Sequence, residues 1–263
     1  MGNMATELEF RAVTRKFAAH GKGGVVTAIE GLNFSVEKGE FVAVLGPSGC
    51  GKSTLLGLAA GLDQPTSGQV LVEGQKVRGP NPRVAFMLQK DLLLPWRNLA
   101  GNIAFGLEAG NLPATEKQVR VQRELQRARL TDFAAAWPHQ LSGGMRQRAA
   151  LARTLAVDPG IILLDEPFSA LDAQTKLTLR RSFAATIAEA GVTALLITHD
   201  VSEAIAMADR VLVMSPRPGR IIETLEIDLP HREDPLARSR HPRFGSLFDH
   251  LFEHLQHDDE LVA

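Results

Sequence analysis

The chain has 263 residues, a length that suits one large α/β domain or one domain carrying an inserted subdomain. Its formal net charge of −1 argues against a protein whose main task is to coat nucleic acid, because such proteins carry a basic excess. The single cysteine, Cys50, excludes an internal disulfide. We expect no signal peptide, and no apolar run approaches the roughly 18 residues that span a bilayer, so a membrane role requires a partner.

Strand patterns dominate the N-terminal part of the chain. Residues 8–13 and 31–36 have the composition of short strands, and the second alternates apolar with polar residues as a half-buried strand does. The apolar run 41–45 predicts a strand buried on both faces. A glycine-rich loop and a helical pattern follow, and further strands are expected at 70–72 and 84–88.

The residue pattern changes between about residues 91 and 140. Strand patterns are lost there, and residues 116–129 have a charged, helical pattern. We interpret the stretch 91–140 as a small helical subdomain inserted into the α/β domain. Beyond it, strand patterns at 161–164, 194–197 and 211–214 alternate with helical ones. This alternation predicts a mainly parallel sheet wrapped by helices.

We divide the chain into a main domain, residues 1–230, and a C-terminal helical tail, residues 231–263. The tail ends in a helical pattern whose apolar stripe is expected to dock on the main domain. His250, His254 and His257 follow helical spacing, which could suggest a metal site. Because no acid or cysteine completes a convincing set, we interpret them as a solvated helix face.

A glycine-rich loop joins the strand at 41–45 to the next helix. Its spacing, Gly46-x-x-x-x-Gly51-Lys52-Ser53, fits the Walker A pattern of phosphate-binding loops. Backbone N–H groups can face the phosphates, Lys52 can reach the β- and γ-phosphates, and Ser53 can offer its hydroxyl to Mg²⁺. The candidate residues for binding the phosphates of ATP are Gly46, Pro47, Ser48, Gly49, Cys50, Gly51, Lys52, Ser53 and Thr54. An ordinary glycine-rich turn is the alternative interpretation.

Two acidic residues end the apolar run 161–164. A buried strand would carry Asp165 and Glu166 to its C-terminal end, where the ligands of α/β sheets collect. Asp165 suits Mg²⁺, directly or through water. Glu166, expected to point the opposite way because strand side chains alternate, could act as the base that polarises the attacking water. Solvated acids at a strand end are the alternative, but a preceding Walker A loop favours the catalytic interpretation.

The segment Leu141–Arg148, Leu-Ser-Gly-Gly-Met-Arg-Gln-Arg, resembles the signature that defines ABC (ATP-binding cassette) ATPases. Gln89, the segment 169–172 and His199 resemble the Q-loop, D-loop and switch histidine of that family, in the family's order and spacing. The resemblance implies an α/β fold of the P-loop NTPase class. It would have an ABC-ATPase core with a mainly parallel sheet, N-terminal antiparallel β-strands and an inserted α-helical subdomain.

The resemblance also implies roles across an interface between two copies. The signature residues Ser142, Gly143, Gly144 and Met145 would contact ATP held by the phosphate loop of the other copy, and Met145 stands where the broad family usually has Gln. Asp172, in the D-loop, would lie at the dimer seam, or it could simply cap the following helix.

Three further residues complete the site that the resemblance implies. His199 would contact the γ-phosphate and help to position Glu166, and Gln89 would contact Mg²⁺ or water and sense a membrane partner. Phe17 would stack on adenine where the family often has Tyr, a residue that this chain lacks. Packing in the core is the alternative interpretation for Phe17.

Four segments narrow the resemblance within the family. Residues 94–98 (Leu-Pro-Trp-Arg-Asn), 102–107, 216–221 and 227–230 resemble cassettes of importers for nitrate, taurine and aliphatic sulfonates, a group that also includes importers of thiamine-precursor pyrimidines. The leucines and the tryptophan of 91–96 could form an apolar groove for a helix of a membrane subunit, or they could pack the helical subdomain.

The implied assembly is a homodimer of this chain with transmembrane permease subunits and, indirectly, an external solute-binding protein. It would place the chain at the cytoplasmic face of the inner membrane, held there by the permease. Substrate choice would lie in the other subunits. The alternative is a soluble ABC-type ATPase with a regulatory or nucleic-acid maintenance role, but the near-neutral charge leads us to expect no nucleic-acid partner.

Overall fold

The computed structural model describes residues 5–18 and 24–260, and the side chains of residues 256–260 lie outside the described part. The strands are β1 (Thr6–Ala18), β2 (Val25–Glu37), β3 (Phe41–Leu45), β4 (Ser67–Val72), β5 (Gln75–Lys76), β6 (Val84–Met87), β7 (Ile161–Asp165), β8 (Thr193–Thr198), β9 (Arg210–Met214) and β10 (Ile221–Glu226). The α-helices are α1 (Lys52–Ala59), α2 (Leu99–Ala104), α3 (Ala114–Arg127), α4 (Gly143–Leu155), α5 (Ala173–Ala190), α6 (Val201–Met207), α7 (Pro235–Ser239) and α8 (Phe244–Glu260). None of the helices in the described residues has both the length and the apolar character that a bilayer crossing requires.

The strands form two sheets. One is antiparallel, with the strand order β2-β1-β4-β5. The other has the order β10-β9-β3-β8-β7-β6, in which the strands from β9 to β6 are parallel and β10 runs antiparallel to β9. The predicted α/β class, with a mainly parallel sheet and N-terminal antiparallel strands, is confirmed.

The first two strands are longer than their sequence patterns predict. β1 and β2 each contain 13 residues, whereas the patterns predict only 8–13 and 31–36. Ala12 (φ 49°) and Gly31 (φ 62°) adopt left-handed backbone conformations where the register between the two strands shifts. Such irregularities interrupt the alternation of side chains, so the period of two is lost along part of each strand.

The parallel sheet is buried on both faces, as its apolar strands predict. On one face, Val42 and Leu163 pack with α1 and the antiparallel sheet. On the other face, Leu45 and Leu196 pack with α5, α6 and α8. Packing on both faces therefore fixes the carboxyl ends of these strands, where the candidate site lies.

A third hydrophobic cluster fills the helical region. It includes Ile103 of α2, Leu125 of α3 and Ala149 of α4. The opposite face of α4 contributes Leu151 to the main core. Helix α4 thus packs against both the helical cluster and the main core. The cluster continues beyond the predicted span of 91–140.

The C-terminal tail packs on the main core. Leu247 and Leu251 of α8 are buried there, which confirms the docking predicted from the apolar stripe. Arg238 of α7 is also buried, and its guanidinium donates to the carbonyl oxygens of Ala208 at 2.5 Å and Leu229 at 2.7 Å. These contacts attach the tail through backbone hydrogen bonds as well as through apolar packing.

Candidate functional site

The glycine-rich loop lies between β3 and α1, and Ser53 and Thr54 belong to the first turn of α1. Gly51 has a φ of 106°, and a Cβ atom there would lie 2.5 Å from Ile29 Cγ2, so only glycine fits this approach to β2. Cys50 is buried, and burial raises the pKa of its thiol. The loop therefore offers backbone groups, rather than a reactive thiolate, at position 50.

Lys52 is buried beneath the phosphate loop. Its Nζ donates to the carbonyl oxygens of Gly46 at 2.7 Å and Pro47 at 2.8 Å. Ser48 and Gly49 are exposed at the rim of the loop. An ammonium group held beside a helix N-terminus is an arrangement that binds phosphate.

The two acids lie at the carboxyl end of β7. The strand ends at Asp165, and Glu166 has a φ of 42° with its N–H donating to the carbonyl oxygen of Ile197 at 3.0 Å. Because Glu166 follows the strand with a left-handed backbone, strand alternation alone does not set the direction of its side chain. Strained conformations of this kind cluster at functional sites.

Glu166 pairs with the histidine that follows β8. Its Oε2 lies 3.1 Å from Nδ1 of His199, and the His199 ring is largely exposed. Burial and the adjacent charge of Glu166 raise the pKa of Asp165, while the Lys52 ammonium opposes that shift. A divalent cation would offset the cost of two neighbouring carboxylates.

Gln89 reaches the same edge of the sheet from β6. Its Nε2 donates to Ser169 Oγ at 3.0 Å, and the Ser169 hydroxyl donates to the carbonyl oxygen of Glu166 at 3.0 Å. Gln147 of α4 donates from Nε2 to the backbone oxygen of Gln89 at 3.3 Å. This series of hydrogen bonds links α4 to the edge that carries the acids.

The signature residues lie at the start of α4. Ser142 caps the helix, since its Oγ accepts from the N–H of Met145 at 3.3 Å. An open cleft of about 1420 Å³ lies between α3 and α5 and is lined by Ser142, Gly143, Gly144 and Met145. Among the described residues, no hydrogen bond joins this group to the phosphate loop. Asp172 lines the same cleft as the signature residues.

Asp172 lies beside the signature cleft, whereas Phe17 lies on β1. Asp172 caps α5, because its Oδ1 accepts from the N–H of Thr175 at 3.0 Å, and contacts with Thr175 lower the pKa of Asp172. Its side chain is exposed, so capping leaves it accessible to a second copy. Phe17 of β1 is 37% exposed, with the Arg15 guanidinium carbon 4.4 Å from its ring centroid. Phe17 is therefore not a core residue.

Comparison with known proteins identifies the family. The sequence profile of the family described as "ABC transporter" matches residues 29–169. The nitrate import ATP-binding protein NrtD of Synechococcus elongatus is 43% identical over 244 residues, which cover 90% of this chain and 89% of that protein. The chain belongs to the ABC transporter family of ATP-binding proteins.

Two further similarities agree with this assignment. The ABC transporter ATP-binding protein YtlC of Bacillus subtilis is 44% identical over 87% of this chain and 88% of its own length. A dimeric, post-hydrolysis structure of an ATP-binding cassette bound to ADP and phosphate has a TM-score of 0.71 and 30% identity, over 84% of this chain and 98% of that one. The chain is an ABC ATPase that binds and hydrolyses ATP.

One contact of the ABC ATPase was not predicted from the sequence. Arg217 donates from Nη2 and Nε to the carbonyl oxygen of Gly49, at 3.2 and 3.3 Å. Gly219 approaches so closely that a Cβ atom there would lie 2.0 Å from the backbone oxygen of Cys50. The segment 216–221 therefore packs against the phosphate loop at Gly49 and Cys50. The hydrophobic periodicity of the sequence does not predict this contact.

A second set of contacts that was not predicted orders the segment after Gln89. Asn102 of α2 is fully buried, and its Oδ1 accepts from the N–H of Leu94 at 2.6 Å. Its Nδ2 lies 3.2 Å from the carbonyl oxygen of Leu94, 3.0 Å from that of Arg97 and 3.1 Å from that of Asn98. One buried amide thus shapes the loop 94–98.

Replacing Asn102 with Ala is expected to destabilise this cassette by about 2–3 kcal/mol, because part-buried backbone groups of the loop 94–98 lose their hydrogen bonds to a fully buried amide. Urea unfolding monitored by circular dichroism measures the change. The exposed Asn111→Ala variant is the control, with an expected change within about 0.5 kcal/mol. Equal stability of the two variants would contradict this role.

Proposed function

We propose that this ABC ATPase energises import of a small anionic or polar solute, of the sulfonate, taurine or nitrate kind, through a membrane permease. The observation that carries the proposal is an apolar surface next to Gln89. Leu92 and Trp96 are 53% and 69% exposed, whereas Leu93 between them packs into the helical cluster. Similarity to the nitrate import relative over nearly the whole chain supports the same direction of transport.

In the proposed catalytic cycle, two copies close so that the Ser142 cleft of each faces the phosphate loop of the other. ATP phosphates bind at Lys52, and Glu166 accepts a proton from the attacking water. His199, 3.1 Å from Glu166, holds that carboxylate in position. Since hydrolysis removes the γ-phosphate from between the copies, they separate afterwards.

Mg²⁺ fits the oxygen donors at this edge. The exposed Ser53 hydroxyl, the Asp165 carboxylate and the Gln89 side-chain oxygen would supply hard oxygen ligands. Burial and the charge of Glu166 raise the pKa of Asp165, and a bound cation would stabilise the charged form of that carboxylate. When bound, Mg²⁺ supplies charge neutralisation at the β- and γ-phosphates. The chain itself supplies the base and the residues that orient it.

The apolar surface would receive a short helix of the permease at the cytoplasmic side of the membrane. Leu92 and Arg153 are joined here, because Arg153 Nη1 donates to the carbonyl oxygen of Leu92 at 2.7 Å. Asp91 also pairs with Arg146 of the signature helix at 3.1 Å. Binding of the permease helix at this surface would therefore act directly on α4, the helix that begins with the signature. An external solute-binding protein would deliver the solute to the opposite side of the permease.

The test is co-purification of the tagged chain from its native membranes in mild detergent, with mass spectrometry of what it retains. Recovery of a polytopic permease is expected, and solute uptake by cells lacking the chain would then be assayed with sulfonates, taurine and nitrate. A chain that retains no membrane protein would remove the transport proposal and leave the ATPase assignment intact.

The double variant Leu92→Ala/Trp96→Ala is expected to bind the permease about 30-fold more weakly, since truncating a central aromatic contact costs about 2 kcal/mol. Its basal ATP hydrolysis should stay near that of the wild type. Leu62→Ala, at a leucine that is 66% exposed elsewhere, is the matched control. Permease binding by the double variant at the control level would refute docking at this surface.

A further inference from the structure

Three side chains from two elements meet beside the core. They are Glu223 of β10 and His250 and His254 of α8, and one ligand atom of each lies within 4.8 Å of the others. Glu223 Oε1 lies 2.6 Å from Nε2 of His250, and Glu223 Oε2 lies 3.3 Å from Nε2 of His254. Our expectation that no acid completes a set with these histidines is wrong, because the acid comes from a different element. His257, the third histidine of the pattern, has its side chain outside the described part.

The hydrogen bonds around His254 define its tautomer. Its Nδ1 lies 2.9 Å from the backbone oxygen of His250. A carbonyl oxygen only accepts, so Nδ1 donates, and a neutral His254 ring presents a lone pair at Nε2. That lone pair faces Glu223 Oε2, a buried oxygen with no hydrogen-bond donor among the described residues. With a neutral ring two acceptors face each other, and either a proton or a metal cation at Nε2 would satisfy both.

We propose that Glu223, His250 and His254 bind a divalent transition-metal ion of the Zn²⁺ class, at a site separate from the nucleotide. Two imidazoles with one carboxylate form a donor set that Zn²⁺ uses, and imidazole ligands favour it over Mg²⁺ and Ca²⁺. The Nδ1–H of His254 bound to a backbone carbonyl is the outer contact that orients metal-ligating histidines. The half-exposed rings leave the site open to solvent for entry and for a water ligand.

The distances require only a local adjustment. With bonds of about 2.0–2.2 Å to Zn²⁺, neighbouring ligand atoms of a tetrahedral site lie roughly 3.3–3.5 Å apart. Glu223 and His254 already have that separation, at 3.3 Å. The 2.6 Å pair of Glu223 and His250 widens as Zn²⁺ replaces the proton on Nε2. That proton passes to solvent while Nδ1 of a neutral His250 takes up one, so Zn²⁺ binds the Nε2 lone pair of a neutral imidazole.

Metal binding would join α8 to the edge strand β10. Helix α8 contributes Leu247 and Leu251 to the main core, so a metal bridge here would hold the C-terminal tail on the ATPase core. A metal that binds only the folded chain raises its stability according to its affinity and concentration. The proposed site would thus have a structural role, because the metal would stabilise the packing of the C-terminal tail on the ATPase core.

The experiment uses the full chain, purified with a tag free of histidine, treated with a chelator and kept nucleotide-free in excess Mg²⁺. Isothermal titration with Zn²⁺ is expected to show one ion per chain with micromolar or tighter affinity. Co²⁺ substitution should give visible absorption bands typical of tetrahedral coordination, and Zn²⁺ should raise the Tm.

Two variants and two controls make the test specific. Glu223→Gln and His254→Asn should each weaken Zn²⁺ binding at least tenfold and abolish the rise in Tm. His231→Asn removes a histidine from an exposed pair with Glu233, 3.3 Å apart, and should bind Zn²⁺ as the wild type does. Asp165→Asn should also retain the ion, which separates this site from the nucleotide site.

Absence of stoichiometric Zn²⁺ binding would overturn the proposal, as would equal binding by wild type and Glu223→Gln. If Glu223→Gln folds poorly, the half-exposed His254→Asn and X-ray absorption of the Zn²⁺-loaded wild type decide the matter. Scattering from two imidazoles per zinc is expected, and none or one would count against the site.

Discussion

Replacing Glu166 with Gln is expected to lower kcat for ATP hydrolysis by about 10²–10⁴-fold, the range that a general base contributes. The change keeps the shape of the side chain and removes its ability to accept a proton from water. Because Glu166 lies outside the phosphate loop, ATP affinity should remain within about threefold of the wild type. Steady-state phosphate release and equilibrium binding of a fluorescent ATP analogue measure the two quantities.

Slow hydrolysis should also trap two copies around ATP. Size-exclusion chromatography of Glu166→Gln with ATP and Mg²⁺ is expected to show a dimer that the wild type forms only transiently. Glu226→Gln, at the exposed end of β10, is the control and should hydrolyse ATP normally. Unchanged hydrolysis in Glu166→Gln would exclude Glu166 as the base and shift attention to His199.

Replacing Lys52 with Met is expected to weaken ATP binding by about 10- to 100-fold, because charge-assisted hydrogen bonds to phosphate contribute about 1.5–3 kcal/mol. Met retains most of the aliphatic volume of this buried side chain, so a packing defect should be small. Lys52 now donates to the carbonyl oxygens of Gly46 and Pro47, and thermal unfolding will report the cost of losing those contacts. Isothermal titration with ATP gives the affinity.

Lys76→Met, on the exposed strand β5, is the matched control for removal of one positive charge. It should bind ATP as the wild type does. If Lys52→Met is folded and binds ATP normally, the assignment of the phosphate loop is incorrect. A variant that has lost both affinity and folded structure would call for Lys52→Arg, which keeps the charge while changing its geometry.

Much of the site was predictable because its motifs are contiguous in the chain. The phosphate loop, 46–54, and the signature start, Ser142, are recognised from their neighbours alone. Their structural settings, a strand-to-helix turn and a helix N-terminus, also follow from local patterns. Local patterns did not predict where the backbone is irregular. Ala12 and Glu166 both adopt positive φ, so the alternation of side chains expected of a strand does not hold around them.

Sequence by itself determined the class of fold, the phosphate loop, the acidic pair and the resemblance to ABC ATPases. The phosphate loop and the acidic pair each rest on one short stretch of chain, whereas the fold class and the resemblance rest on the order and spacing of such stretches along the chain. Only the tertiary structure decided how Arg217 supports the phosphate loop, how Asn102 shapes the loop after Gln89, and that Glu223 joins two histidines of α8. Those contacts bring together residues that are far apart in sequence or belong to different elements. Their positions depend on how sheets and helices pack, which no local period of the sequence encodes.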